Sequence, residues 1–291
     1  MTTGAQSTRA PAITKFDAVV ADILVETPDT ITASLDLGQP VKYRAGQYVS
    51  IDPHQFPALG SMTRYLEHLK GRHEPPRAYS MCSAPHEQHV AITIKEEVYD
   101  GVMEYPPLIS GFLVHQLRAG DRIEVTGFAG AYVLPEDLKA DHILHLCAGS
   151  GSVPNVSIIK DSLLRHAKLR HTFVYSNKTS QDVIFRAALA ELQGQHPDRL
   201  KVIHTLTRES GISSPHEDIR CGRVTLELLR EILDREPNSV VYSCGPAVSV
   251  WDKRAHAAKG TVPPPRFLET MQSYLTELSF PKDRIKVEAF G

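Results

Sequence analysis

Two different patterns of apolar and polar positions divide the chain into two halves. In the first half, short runs of alternating apolar and polar residues are separated by turn residues, most clearly at Thr32–Leu37 and Val90–Lys95. Several short strands at regular spacing predict an antiparallel β-barrel or sandwich. The predicted strands are 16–26, 31–37, 47–51, 78–81, 89–96 and 121–127, with one helix at 111–118. The segments 52–76 and 97–109, rich in Pro, His and Gly, are predicted to be long loops.

The second half alternates apolar strands with segments of helical spacing. The continuous apolar run 142–149 ends in glycine, and the helical pattern of 153–167 follows it directly. Further strands are predicted at 171–176, 200–207, 239–245 and 285–290, and further helices at 182–193, 225–233 and 266–278. This alternation predicts a doubly wound α/β domain with a parallel sheet. The predicted division is a disordered tail at 1–12, a β-barrel domain at 13–137 and an α/β domain at 138–291.

Charge and cysteine content exclude several classes of protein. The 32 Lys and Arg residues against 34 Asp and Glu residues give a formal net charge of −2, which argues against nucleic-acid binding. No stretch approaches the roughly 20 apolar residues of a membrane span, and the polar N-terminus lacks a secretory pattern, so we expect a cytoplasmic protein. The 4 cysteines form no CxxC pair or metal spacing, and the 14 histidines include no HExxH. We therefore predict reduced, mostly buried thiols and no metal site.

The segment 147–154, with the sequence CAGSGSVP, lies where a strand turns into a helix. Small residues allow close approach of a pyrophosphate, and the first turn of a helix offers unpaired N–H groups. Pro154 fits the first helical position, but it replaces the third glycine of the dinucleotide-binding pattern. A nucleotide site and a merely tight turn are both compatible with this pattern. The next strand ends at 175–178 without the acid that NAD-specific proteins often carry there. Ser176, Lys178 and Arg208 could instead receive a 2′-phosphate, which slightly favours NADPH over NADH.

The chain resembles the ferredoxin–NADP reductase-like flavoproteins in several short motifs that occur in that family's order. Each motif is only moderately specific, but together they are strongly specific, and they cover about residues 13–291. The resemblance implies a six-stranded N-terminal barrel that holds FAD and a C-terminal α/β domain that holds NADPH or NADH. The motifs are Arg44-Ala45-Gly46-Gln47-Tyr48, Arg77-Ala78-Tyr79-Ser80, Ser110-Gly111, Gly149-Ser150-Gly151 with Pro154, Cys244-Gly245-Pro246, and Glu288-Ala289-Phe290.

The resemblance also implies a role for each motif. Arg77 would pair with the FAD pyrophosphate, Tyr79 would lie against the isoalloxazine ring, and Ser80 would hydrogen-bond near flavin N5. The main chains of Ile94 and Lys95 would contact the ribityl and phosphate portion of FAD, and Ser110 and Gly111 would contact a second phosphate. Glu288 and Phe290 would lie near the flavin. The residues implied to contact the nicotinamide nucleotide are Gly149, Ser150, Gly151, Pro154, Gly245 and Pro246.

Cys244 ends an apolar strand just before Gly-Pro turns the chain, so we expect its thiol to face the crevice at the carboxyl ends of the strands. The resemblance places this thiol beside nicotinamide C4, where its role would be positioning. Ser80, Cys244 and Glu288 are therefore the candidate catalytic residues. Each assignment has a structural alternative. Arg77 could form a surface salt bridge, Tyr79 and Ser80 could be structural strand residues, and Ser110 could be an N-cap. Cys244 could be a buried structural thiol, Glu288 and Phe290 could belong to a frayed terminus, and the ordinary solvent-exposed loop residues would be Ser176, Lys178 and Arg208.

The resemblance implies an FAD-dependent NAD(P)H oxidoreductase that passes single electrons to a separate ferredoxin or oxygenase component, because this sequence lacks the four-cysteine pattern of an iron–sulfur cluster. A flavin reductase acting on free flavin or a small acceptor is one alternative, and a non-catalytic nucleotide-binding subunit is another. The sequence departs from the family at Ser150 and Val153, where Thr is more usual. It also departs at 254–267, a proline-containing insertion into an expected helix. This insertion and the loop 97–109 are either partner contacts or ordinary surface loops.

Overall fold

Six antiparallel strands form the first half of the structure, a computed structural model that describes residues 14–99, 101, 103–212 and 214–290. They are β1 (Thr14–Thr27), β2 (Thr30–Asp36), β3 (Tyr48–Ile51), β4 (Arg77–Ser80), β5 (Val90–Lys95) and β6 (Arg122–Ala129). Their order in the sheet is β4-β3-β6-β1-β2-β5, and an antiparallel bridge between Met81 and Ile92 joins its two ends. The predicted antiparallel β-domain is confirmed, while the predicted tail 1–12 lies outside the described residues.

A glycine is required where the chain enters β3. Gly46 has a φ of +94°, and a Cβ built on it would lie 2.0 Å from the carbonyl oxygen of Tyr132. Any other residue would meet both a strained backbone and a backbone atom that no side-chain rotation can move aside. The Gly-Gln-Tyr entry motif of the sequence therefore has a steric reason, because it brings the barrel against the segment that leads to the second sheet.

The prediction of a long loop at 52–76 is wrong, because this segment contains helix α1 (Gly60–Lys70). Two short 3₁₀ turns, Pro53–Gln55 and Pro57–Leu59, precede it. Only Thr63 and Leu66 are buried on the helix, so the apolar stripe was too narrow to be recognised among the surrounding His and Pro residues. The segment 97–109 has no helix or strand in the part that the structure describes, and α2 (Ser110–Gln116) follows it.

Six parallel strands form the second sheet, in the order β10-β9-β8-β7-β11-β12. The strands are β7 (His142–Ala148), β8 (Arg170–Asn177), β9 (Leu200–Leu206), β10 (Asp218–Cys221), β11 (Ser239–Pro246) and β12 (Ile285–Phe290). The helices are α3 (Ser152–Arg165), α4 (Arg186–Gln195), α5 (Leu226–Arg235), α6 (Val250–Ala257) and α7 (Phe267–Glu277). None of the helices in the described ranges is long and apolar enough to cross a membrane. The predicted doubly wound domain is confirmed.

Two elements of this domain were not predicted. Strand β10 has four residues and only partial burial, so it carries no apolar pattern. Helix α6 buries none of its residues, and its only sequence signal is the capping box of Ser249 and Asp252. The prediction that 254–267 interrupts an expected helix is therefore partly wrong. The first residues of this segment complete α6, whereas 258–266 have neither helix nor strand.

The two faces of the parallel sheet are covered by different helices. Leu144 and Leu146 of β7 pack with residues of α5 and α7, whereas Cys147 packs with residues of α3 and α4. Because both faces are covered, β7 reads as a continuous apolar run and not as an alternation. The two histidines in this run are buried, and the imidazole of His145 lies within hydrogen-bond distance of Asn155 and His171. Burial lowers the pKa of His145 to about 3, so it is a neutral core residue.

Specific polar contacts join the barrel to the α/β half. The carboxylate of Glu26 in β1 accepts a hydrogen bond from the backbone N–H of Phe185, at 3.0 Å. The hydroxyl of Ser157 in α3 donates to the carbonyl oxygen of Ser83, at 2.5 Å, and both residues are buried. Because each of these hydrogen bonds joins a residue of the barrel half to a residue of the α/β half, they help to fix the position of one half against the other.

Candidate functional site

A cleft of about 880 Å³ lies between the barrel and the parallel sheet. From β7 the chain proceeds outward through β8, β9 and β10, whereas β11 and β12 lie on the other side of β7. The order therefore reverses between β7 and β11, and ligands of open α/β sheets bind at the carboxyl ends of the strands at such a point. The predicted site residues that line the cleft are Tyr79, Ser80, Lys95, Gly149, Ser150, Ser176, Lys178, Pro246, Glu288 and Phe290.

The barrel side of the cleft presents an aromatic ring, a hydroxyl and an amine. Tyr79 and Ser80 lie on β4, which is the terminal strand of its sheet, and both reach the cleft. Burial raises the pKa of Tyr79, so its phenol stays neutral. The amine of Lys95 donates to both carboxylate oxygens of Asp29, each at 2.6 Å, so its charge is already compensated. Ile94 is fully buried and does not line the cleft, although Thr93 and Lys95 on either side of it do.

Arg77 lies outside the wall of this cleft. It lines a second cavity of about 660 Å³, which shares Glu97 and Arg266 with the cleft. Its guanidinium donates to the carboxylate of Glu74 at 2.7 Å and to the carbonyl oxygen of Pro75 at 2.6 Å. The Glu74 side chain is completely buried, so the contact is more than a surface salt bridge. This pairing holds the guanidinium in one orientation beside the second cavity.

Ser110 and Gly111 begin helix α2, as predicted, but Ser110 is not its N-cap. The N-cap is Ile109, and the hydroxyl of Ser110 instead accepts a hydrogen bond from the N–H of Glu97 at 3.0 Å. A Cβ built on Gly111 would lie 3.1 Å from a carboxylate oxygen of Glu96. The chain thus places its own negative charge beside the start of α2, where the helix dipole favours an anion.

The glycine turn after β7 packs directly on β11. Gly149–Gly151 form a 3₁₀ turn, and a Cβ built on Gly151 would lie 2.1 Å from the carbonyl oxygen of Cys244. Pro154 is the third residue of α3 and not the first, so the predicted position is wrong. Proline fits there equally well, because the first four N–H groups of a helix have no partner within the helix. The turn combines small residues with a helix start, as phosphate binding requires.

The expectation that the Cys244 thiol faces the crevice is wrong. Its side chain is fully buried in a cluster that includes Ala45, Tyr132 and Ile158, and it does not line the cleft. The physical reason is its place on β11, an internal strand between β7 and β12, on the face that packs against the barrel side and α3. Burial raises the pKa of this thiol, so it stays protonated. All four cysteines are free, and Cys221 is exposed whereas the other three are buried.

Glu288 is the most unusual titratable group in the cleft. It lies on β12, which pairs with β11 over its whole length, so the alternative of a frayed terminus is wrong for 285–290. Burial raises the pKa of its carboxyl to about 7. Its Oε2 atom is buried and has no hydrogen-bond partner among the described residues. An unpaired buried oxygen is energetically costly, which indicates a polar partner that belongs to a bound group.

The far end of the cleft differs from the prediction at one position. Ser176 and Lys178 line it at the carboxyl end of β8, but the exposed side chain of Arg208 does not. Arg223 lines the cleft instead, and sequence reasoning missed it because the preceding strand β10 was not recognised. The backbone N–H of Arg208 donates to the carbonyl oxygen of Lys178 at 2.8 Å, so Arg208 supports the loop only through its main chain.

The residues of the cleft fit a flavin and a nicotinamide nucleotide. The cleft volume is in the range of cofactor sites. Its wall combines an aromatic face at Tyr79, a hydroxyl at Ser80 and a small-residue turn at Gly149–Gly151. The unpaired Oε2 of Glu288 provides the polar group that such a ligand would satisfy.

Comparisons with known proteins agree with this geometry. The model of the oxidoreductase NAD-binding domain family matches residues 146–250. The ferredoxin reductase component of 3-ketosteroid-9-alpha-monooxygenase from Mycobacterium tuberculosis is 31% identical over 215 residues, covering 74% of this chain and 49% of that protein. Flavohemoprotein A of Dictyostelium discoideum is 25% identical over 259 residues, covering 87% of this chain and 54% of that protein. This chain therefore spans about half the length of these curated relatives.

A solved structure shows the same fold. The FAD/NAD-binding domain of the nitric oxide dioxygenase from Vibrio cholerae superimposes with a TM-score of 0.70 at 22% sequence identity. The match covers 95% of this chain and 98% of that domain. Both the barrel and the parallel sheet are therefore part of the shared architecture.

Proposed function

We propose that the chain is a member of the ferredoxin–NADP reductase-like flavoproteins and acts as an FAD-dependent NAD(P)H oxidoreductase. In this proposal, residues 13–137 bind FAD, residues 138–291 bind the nicotinamide nucleotide, and a separate ferredoxin-type protein that feeds an oxygenase accepts the electrons. FAD supplies hydride acceptance and stepwise release of single electrons. The observation that carries the proposal is the shared cleft, in which Tyr79 and Ser80 meet the glycine turn and Glu288.

The barrel residues bind and orient the flavin. Tyr79 supplies a flat face for a planar ring, and the adjacent hydroxyl of Ser80 supplies a hydrogen bond at the reacting edge. Strand β5 is the last strand of its sheet, so main-chain groups of Ile94 and Lys95 are available to the ribityl chain. Arg77 is held by Glu74 beside the second cavity, where its fork of donors suits a pyrophosphate. A phosphate at Ser110 and Gly111 would displace the carboxylate of Glu96 from the start of α2.

The residues of the parallel sheet align the nucleotide with the flavin. The turn Gly149–Gly151 and the start of α3 bind its phosphates. Cys244 is a positioning residue in this proposal, because its backbone carbonyl contacts the turn while its thiol is buried. Glu288 holds a proton at its carboxyl group near neutral pH, next to Pro246 and Phe290 in the cleft wall. This alignment would bring the nicotinamide ring and the flavin ring into the near-contact geometry that hydride transfer requires.

Anaerobic reduction tests the proposed function. We expect the purified, FAD-loaded protein to lose its visible flavin absorbance when NADPH or NADH is added without oxygen, and to regain it when an oxidised ferredoxin follows. A colourless protein that cannot be loaded with FAD, or a flavin that neither coenzyme reduces, would refute the proposal. Turnover with free FMN and with no ferredoxin would favour the alternative of a flavin reductase.

Lys178 is expected to set a preference for NADPH over NADH. Its ammonium group lines the nucleotide end of the cleft, and a cation at this position stabilises a 2′-phosphate. Replacing Lys178→Ala should raise the KM for NADPH about tenfold, which corresponds to about 1.4 kcal/mol, and leave the KM for NADH unchanged. Steady-state kinetics with both coenzymes measure this effect.

The matched control is Arg208→Ala, which removes an equal charge that lies outside the cleft wall. It should leave both KM values unchanged, because only the main chain of Arg208 contacts the loop of Lys178. An equal loss for NADPH and NADH in Lys178→Ala, or an effect of Arg208→Ala as large as that of Lys178→Ala, contradicts the assignment.

A further inference from the structure

A cluster of metal-ligating side chains lies around helix α1, apart from the cleft. His54 belongs to the first 3₁₀ turn, Glu67 to α1 and His73 to the segment after it. The Nε2 atom of His54 lies 2.9 Å from Oε1 of Glu67, and the Nδ1 atom of His73 lies 2.6 Å from the same oxygen. One ligand atom from each of the three residues lies within 4.8 Å of the others.

The cluster has the supporting contacts of a metal site. Nδ1 of His54 lies 2.6 Å from the carboxylate of Asp52, which leaves Nε2 facing Glu67. Histidines that bind metals typically direct their second ring nitrogen at a carboxylate in this way, which fixes the ring orientation. The backbone N–H of Glu74 donates to Oε1 of Glu67 at 3.0 Å and restrains that carboxylate as well. Each of the first two ligands is therefore oriented by a neighbour that is not itself a ligand.

We propose that His54, Glu67 and His73 bind a divalent first-row cation, with Zn²⁺ as the best match. Two imidazoles and one carboxylate form a ligand set suited to Zn²⁺, with water in the fourth position. Ligand atoms around a tetrahedral zinc are about 3.3 Å apart, so the nitrogen–oxygen contacts must open by about half an ångström. The ion takes the place of the hydrogens in these two contacts. A neutral imidazole then carries its hydrogen on the other ring nitrogen, and a protonated imidazole releases one proton to solvent.

The site would join three pieces of chain that precede the flavin motif. The 3₁₀ turn, α1 and the segment 71–76 meet at the cluster, and this segment continues into β4. Glu74, next to His73, is the buried carboxylate that holds Arg77. A cation here stabilises the segment without contact to the cleft, so the inference is independent of the proposed function.

Zinc titration of the purified full-length protein, with or without FAD, tests the inference. All variants carry Cys221→Ser, because an exposed thiol is a competing ligand. After treatment with a chelator and dialysis, calorimetry with Zn²⁺ should show one ion per chain. The variant His73→Ala should lose affinity for Zn²⁺ by more than the roughly 10–100-fold that is typical when a residue supporting a metal ligand is replaced. His73 is largely exposed, so this variant is expected to fold.

The controls separate a metal site from a hydrogen-bonded cluster. His68→Ala removes an exposed histidine of α1 outside the cluster and should bind Zn²⁺ as the parent protein does. Asp52→Asn keeps a side-chain cap for the 3₁₀ turn but removes the carboxylate, and it should weaken binding about 10–100-fold. Absence of stoichiometric binding in the parent, or equal affinity in His73→Ala and His68→Ala, overturns the inference.

Discussion

Replacing Gly151→Ala is expected to lower the free energy of unfolding by about 3 kcal/mol and to weaken nucleotide binding strongly, because the new methyl group overlaps β11. The added Cβ would lie 2.1 Å from the carbonyl oxygen of Cys244, 2.4 Å from its carbonyl carbon and 2.8 Å from the nitrogen of Gly245. All three are backbone atoms of β11, so no side-chain rotation relieves the overlap. The φ of Gly151 is −62°, which alanine adopts readily, so the penalty is steric alone.

The loss should appear in two independent measurements. Urea denaturation reports the free energy of unfolding, and titration with NADP⁺ or NAD⁺ reports the state of the phosphate-binding turn. Gly194→Ala in α4 is the matched control, because a Cβ there meets nothing within 4 Å. That change should stabilise the protein by about 0.5–1 kcal/mol, since alanine is the better helix former. A Gly151→Ala protein as stable as the parent, with unchanged nucleotide affinity, would show that the turn moves away from β11 at no cost and would contradict this prediction.

Replacing Glu288→Gln is expected to abolish a step near neutral pH in the activity profile and to lower turnover about 100-fold, a typical effect of losing a group that holds a reacting proton. Burial raises the pKa of Glu288 from 4.5 to about 7, so its proton is available close to neutral pH. The glutamine keeps the shape of the side chain but cannot titrate. Turnover with a one-electron acceptor, measured across neutral pH, reports both effects.

The same substitution has an opposite and separable effect on stability. A carboxyl whose pKa is higher in the folded than in the unfolded protein disfavours folding once it ionises, so stability falls as the pH rises from 4.5 towards about 7. Above that range, Glu288→Gln should be more stable than the parent by about 2 kcal/mol, after allowance for partial solvent exposure. At about pH 4 the two proteins should be equally stable.

Glu277→Gln is the control for both measurements, because Glu277 is an exposed residue of α7 outside the cleft wall. It should leave the activity profile and the stability unchanged. If Glu288→Gln retained the neutral step in turnover, the step would belong to another group, and Glu288 would lose its assigned function. If its stability followed that of the parent at every pH, the raised pKa itself would be contradicted.

Local sequence was sufficient where an element is long and periodic. The alternation at Val90–Lys95 predicted a strand at 89–96, one residue longer at each end than β5, and the apolar run at 142–149 predicted β7 within one residue. It was insufficient for elements that bury little. Helix α1 buries two residues and α6 buries none, so neither presents the apolar stripe on which such a prediction depends.

The candidate site shows the same division. The resemblance carried by the short motifs implied that Tyr79, Ser80 and Glu288 lie near one flavin, and the structure brings all three to one cleft. The motifs could not show that the Cys244 thiol packs inward, since a strand residue can face either side of its sheet. They also could not associate Arg223 with this site, because that residue follows an unrecognised strand.

The cluster of His54, Glu67 and His73 illustrates what sequence spacing cannot show. The sequence predicted no metal site, because His54, Glu67 and His73 match no metal-binding motif. Only the fold of α1 over the preceding turn brings their ligand atoms within 4.8 Å of one another. Proximity of this kind depends on the packing of one short helix, which has no signature in the spacing of the residues.

By itself, the sequence determined the order of the two halves and the class of each sheet, because periodicity and turn chemistry are local properties. Its short motifs carried the resemblance to the ferredoxin–NADP reductase-like flavoproteins. Only the tertiary structure decided which face of β11 carries the Cys244 thiol. It also decided that Arg77 lines a second cavity and is held there by the carboxylate of Glu74. It also decided that the Glu288 carboxyl titrates near neutral pH. Each of these depends on burial and on contacts between residues distant in the chain, which are properties of the packed molecule.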